Sequence, residues 1–203
     1  MEEGEATFNL IKSSVSRVFR YSGAKEYSRR YAVMNAFDGV VTILGIVLGS
    51  TLLGGSDPRD IVAAGVGALI AMGISGASGT YMAEKAEQER RLREIEDAML
   101  VKLEDSVIAE AREWAAVISA AVDAGAAVLA GLISLAPYLL SLLNLISAGQ
   151  AFTLSLTLSL GLLFSLGLFL GRVAKRNVIV SGLKSLAIGC VTILLITLLN
   201  LVL

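Results

Sequence analysis

The chain has 203 residues, of which 55% are hydrophobic and only 17% charged, against roughly a quarter charged in an ordinary soluble domain. Mean hydropathy is +0.74. This balance excludes a soluble globular enzyme, a disordered chain and a disulfide scaffold. With no histidine, a His-based triad, His metal site or imidazole relay is ruled out. The single Cys190 forms no intramolecular disulfide. A net charge of −1 exerts no strong pull on nucleic acid, and none is expected as a partner.

The charges are clustered. Of 35, ten fall in Met1–Tyr31, sixteen in Glu84–Glu113 and nine in all the rest. Windows of about 20 apolar residues mark membrane crossings. Five are predicted: Ala32–Leu53, Ile61–Met82, Trp114–Ala136 (with room to run on past Pro137), Phe152–Gly171 and Val178–Leu203. The expected fold is therefore all-α, an integral membrane protein with a short cytoplasmic helical insert between spans 2 and 3. Its divisions are a cytoplasmic segment 1–31, spans 1 and 2 in 32–83, the acidic insert 84–113, and spans 3 to 5 in 114–203. A signal peptide fits poorly, because the first apolar run is too long, starts too late and lacks a small-residue cleavage site.

Short-loop Lys and Arg set the orientation. Arg17, Arg20, Lys25, Arg29 and Arg30 precede span 1. Lys85, Arg90, Arg91, Arg93, Lys102 and Arg112 separate spans 2 and 3, and Arg172, Lys175 and Arg176 separate spans 4 and 5. The opposite loops carry Arg59 alone, or no charge in Tyr138–Gln150. The N-terminus is expected in the cytoplasm and the C-terminus outside, in a cell membrane. Phe8–Val18 is weakly amphipathic and suits the membrane surface. Glu84–Glu113 has no Gly or Pro and is rich in helix formers. Leu92, Ile95, Met99 and Leu103 make an apolar stripe along it. It is expected to continue span 2 and return to span 3.

Asp38 lies about seven residues inside span 1. An ionised Asp near mid-span costs roughly 2.5–3.5 kcal/mol on insertion scales, so a functional role outweighs a merely capped one. Asn35, Asp38 and Thr42 share a helical face, which Gly45 and Gly49 continue. In span 2, Met72 and Met82 are soft donors suited to a transition metal. They are also common gap-fillers, and packing is favoured for both. Gly73, Gly76 and Gly79 suggest a close helix crossing. Asp123 in span 3 serves equally as part of a transport path or as a satisfied end residue. Thr153, Ser155, Thr157 and Ser159 read as helix–helix hydrogen bonding. In the insert, Glu84 with Glu87, Glu94 with Asp97, and Glu110 with Glu113 are spaced by three. Such pairs can bind one divalent cation. Spacing alone favours a solvated helix whose acids pair with Arg90, Arg91 and Arg93.

The segment from Asn35 to Gly49, with Asp38-Gly39-Val40-Val41-Thr42 inside it, resembles the first span of the vacuolar iron transporter family. Ser75 to Lys85, followed by a Glu/Arg-rich helix, resembles that family's span 2 motif Ser-Met-x-x-Gly-Glu-Tyr-x-Ser-x-Lys. The resemblance implies a divergent prokaryotic member that works as a homodimer. It implies export of Fe²⁺ or Mn²⁺ from the cytoplasm, coupled to protons, with the metal as substrate and no permanently bound cofactor. The implied path lies at the dimer interface between spans 1 and 2, with Asp38 as its carboxylate. Thr80 joins Asn35, Thr42, Met72, Met82 and Asp123 as candidate path residues. Cytoplasmic Glu and Met side chains would gather metal. Two positions depart from the pattern: Gly-Glu-Tyr is Gly79-Thr80-Tyr81 here, and the span 2 Met position holds Gly76. The alternative function is a non-transporting dimeric scaffold or metal sensor. No acid pair, Ser/His or Cys/His arrangement supports an enzyme.

Overall fold

The computed structural model describes residues 24–52, 54, 57–103 and 106–202. Phe8–Val18, expected on the membrane surface, lies outside the described residues. Five helices follow in order: α1 Ala24–Leu52, α2 Pro58–Met99, α3 Val107–Leu142, α4 Ala148–Val173 and α5 Val178–Val202. All five are long and apolar enough to cross a membrane, and no strand occurs among the described residues. Apolar side chains dominate their surfaces because lipid, not water, is the solvent; backbone groups must therefore be satisfied within each helix.

α2 has 42 residues, or roughly 63 Å at 1.5 Å per residue, about twice a hydrocarbon core. No separate helix occupies the insert among the described residues. Its first part is the end of α2, and its last part is the start of α3. The reversal between them is built from local hydrogen bonds. Leu100 adopts a left-handed φ of 56°. The Glu96 carboxylate accepts the Leu103 N–H at 2.6 Å, and the Ser106 hydroxyl caps α3 by accepting the Ala109 N–H at 3.2 Å. α3 continues through Pro137 to Leu142.

The contacts divide the chain into two compact units. One is the described part of Met1–Tyr31 with Ser75–Ala124; the other is Ala32–Ile74 with Gly125–Leu203. In the second unit a core joins Ile43 and Val47 of α1, Ile61 and Leu69 of α2, Leu135 and Tyr138 of α3, and Ala151 of α4. Glycines set its close approaches. Gly39 lies against the Ala127 carbonyl and Gly131 against Leu69, with no room for a Cβ. Gly45 and Gly49, further along α1, make no such close approach among the described residues. A Cβ on Gly45 would sit 3.8 Å from Ile196, and one on Gly49 would meet nothing within 4 Å.

α4 buries a stripe repeating every four residues: Ala151, Ser155, Ser159, Leu163, Gly167 and Gly171. α5 answers with Gly182, Ser185 and Gly189. Such small residues let backbones pack closely where lipid supplies no hydrophobic drive. The serine and threonine run of α4 divides by face. Ser155 donates to the Ser134 carbonyl of α3 at 2.6 Å. Among the described residues, Thr153 and Thr157 bond their own helix, to the Gly149 and Thr153 carbonyls.

Candidate functional site

α2 presents Thr80, Glu84 and Gln88 at steps of four, on one helical face. All three are buried, at 9%, 4% and 3% exposure. Each meets a different partner from a neighbouring helix. The Thr80 hydroxyl donates to Asp123 Oδ2 of α3 at 2.7 Å. The Tyr31 hydroxyl of α1 donates to Glu84 Oε1 at 2.8 Å. Arg112 of α3 donates to Gln88 Oε1 at 3.0 Å, and Gln88 Nε2 has no partner among the described residues. Ser28 and Ser119 hydroxyls lie 3.4 Å apart on the same side of the unit.

Asp123 is 2% exposed. Gly76 makes its seat, because a Cβ there would lie 3.0 Å from Asp123 Oδ2. A buried carboxylate must be hydrogen-bonded or paired to offset its desolvation. Thr80 supplies one such bond, so the Asp123 carboxylate is satisfied from within the chain. Among the expected path residues, Thr80 and Asp123 are hydrogen-bonded to each other. The Tyr31, Gln88, Arg112, Ser119 and Ser28 contributions went unrecognised in the sequence. The repeat of polar residues at 80, 84 and 88 was the available signal.

The acidic pairs do not behave alike. Glu87 lies about a sixth of a turn around the helix from buried Glu84, and Arg90 and Arg91 hold it at 2.9 and 2.8 Å. Hydrogen bonds from Arg90 and then Arg91 pull its carboxyl down to about 2. Glu94 pairs with Arg90 at 2.8 Å. Asp97, Glu110 and Glu113 are exposed. No group of three or more acidic or cysteine side chains able to hold a metal comes together among the described residues.

Asp38 takes no part in these hydrogen bonds. It is exposed on α1, with Asn35 and Thr42 half-buried beside it along the helix. No hydrogen bond or ion pair joins it to a described residue. Met34, one turn before it, is 55% exposed. Met72 is half-buried and Met82 is 64% exposed.

The family model for the VIT family matches residues 29–101 and 91–199, nearly the whole described chain. The chain belongs to the VIT family. A relative described as an uncharacterized protein of Methanocaldococcus jannaschii is 31% identical over 180 residues, covering 87% of this chain and 88% of that one. The VIT family is a family of membrane metal-ion transporters, and this member is a multi-pass membrane protein in contact with the bilayer. Its departure at Thr80 acquires a structural meaning. Where the resembling motif carries Glu, this VIT-family chain places a threonine that holds a carboxylate from α3.

Proposed function

We propose that the protein exports a divalent metal ion, Fe²⁺ or Mn²⁺, from the cytoplasm in exchange for protons, as a homodimer. Asp38, exposed and without a partner among the described residues, carries this reading. An ionised carboxylate on the flank of an apolar helix is costly unless something answers its charge. A cation is such an answer, and a single carboxylate is too few ligands for one. Two copies meeting along spans 1 and 2 would bring two Asp38 side chains to one ion, with Asn35, Thr42 and Met72 available nearby on the same helices. Gly49 and Gly79 have open space where a Cβ would stand, which suits close approach of a second copy.

Asp38 would bind metal and proton by turns, since both compete for one carboxylate. The Lys and Arg of the N-terminal segment and of the α2–α3 reversal support a cytoplasmic position for both. Acids near that mouth, Glu84, Glu87, Glu94, Asp97, Glu110 and Glu113, would supply a weak local excess of cations.

The test is metal-dependent proton flux in liposomes holding the full chain. Flux that starts on adding Mn²⁺ or Fe²⁺ supports the transporter. Metal binding without flux supports a sensor or scaffold instead. Cysteine labelling at position 57 fixes the topology, and reaction from the cytoplasmic side alone would overturn the orientation.

A further inference from the structure

α4 and α5 carry a charged feature that the transport reading does not use. Beyond Asp123 the sequence contains no Asp or Glu, yet it contains Arg172, Lys175, Arg176 and Lys184. Arg172 lies in the last turn of α4, Lys175 and Arg176 form the turn, and Lys184 is the seventh residue of α5. All four are exposed. No ion pair joins any of them to a described acid.

The turn that carries these cations is well defined. Lys175 takes a left-handed φ of 52°, and the Arg176 N–H bonds the Gly171 carbonyl at 3.0 Å. Gly171 packs so tightly that a Cβ would lie 2.8 Å from Val178 Cα. The Asn177 side chain accepts the Ile179 and Val180 N–H groups at 3.1 and 3.3 Å. The positive end of the α5 dipole adds to the same field.

Lys184 lies roughly 9 Å along α5 from Val178, inside the apolar stretch rather than before it. A lysine at such depth extends its stem toward the interface and its ammonium toward polar groups there. Its neighbours Val180, Leu183 and Ile188 are exposed and apolar. The end of α4, the α4–α5 turn and the first two turns of α5 therefore carry four exposed cations together with exposed apolar side chains. A second copy using the same face would set like charges against one another, with no acid on α4 or α5 to answer them.

We propose that this end of the α4–α5 pair is a binding site for an anionic phospholipid. Lys184 and the turn cations take the phosphodiester, and an acyl chain lies along Val180, Leu183 and Ile188. The site is independent of the transport reading, because none of its residues belongs to the proposed path.

Native mass spectrometry of the full chain, titrated with phosphatidylglycerol or phosphatidylcholine, tests it. Phosphatidylglycerol should be retained in preference. Lys184→Gln should lower that retention about fivefold, the effect of one basic residue near an anionic surface, and Lys184→Arg should keep it. Arg59→Gln should leave retention unchanged. Should Lys184→Gln fail to fold, the Arg172→Gln/Arg176→Gln double variant gives the same reading on α4 and the turn. Equal retention of the two lipids by the wild type overturns the proposal. So does unchanged retention in the variants, or displacement of the lipid by millimolar inorganic phosphate.

Discussion

Asp123 and Asp38 are the same residue type in the same kind of apolar helix, and their surroundings are opposite. Asp123 is sealed from solvent, seated on Gly76 and hydrogen-bonded by Thr80. Asp38 is exposed and has no described partner. Burial with a partner makes a carboxylate part of the fold, because removing it strands the partner. Exposure without one leaves a carboxylate for something outside the subunit to complete. The comparison teaches that in a membrane helix the informative property of an acid is whether the chain itself answers its charge.

Stability measurements sharpen this contrast. In detergent, Asp123→Ala should lower unfolding free energy by up to about 3 kcal/mol, because it leaves the Thr80 hydroxyl buried without an acceptor. Asp38→Ala should leave it unchanged or slightly raised. Equal losses at the two positions in thermal unfolding would erase the distinction. Gly167→Ala belongs to the same class of effect, since its Cβ would collide with Ser185 and the Ser181 carbonyl. Overpacking of that kind costs about 1–3 kcal/mol. Gly79→Ala meets open space, so it should spare the subunit fold and weaken only association, read by sedimentation in detergent.

The spans were legible because apolar length is a property of local sequence. Predicted span 2, Ile61–Met82, lies within α2, and predicted span 5 begins at the same Val178 as α5. The continuation of span 3 past Pro137 also followed from composition. What the sequence did not disclose was which acid turns inward. Glu84 and Glu87 looked like one pair on one face, yet Tyr31 takes the first and two arginines take the second. The choice depends on what α1 and α3 place opposite α2, and pairings over such separations leave no local trace. The Thr80–Asp123 bond was hidden for the same reason, since its partners are 43 positions apart. The glycines show the same limit. Small residues marked close contacts in general, but Gly39 rather than Gly49 makes the tight one on α1.

The smallest expected effect is at Glu87. Its carboxyl lies at about 2 instead of the ordinary 4.5, through hydrogen bonds from Arg90 and Arg91. A lowered value means that the stabilisation is present above the ordinary carboxylate range and is lost as pH falls through about 2. Between pH 7 and pH 5 the pairs should therefore not change. Arg90 is exposed and Glu87 and Arg91 are half-buried, so solvent and salt still screen the pairs. Glu87→Gln should leave thermal stability at neutral pH within experimental error. A clear loss would show that the outer end of α2 depends on these pairs.

The most direct test of Asp38 is Asp38→Asn in liposomes, with assembly checked by sedimentation. The side chain is nearly isosteric, so folding and the proposed dimer should persist. The carboxylate is lost, and with it the charge proposed to draw a cation into the bilayer and the group proposed to release a proton. Metal-dependent proton flux should fall to the level of empty liposomes. Wild-type flux from a correctly assembled Asp38→Asn protein would contradict the account.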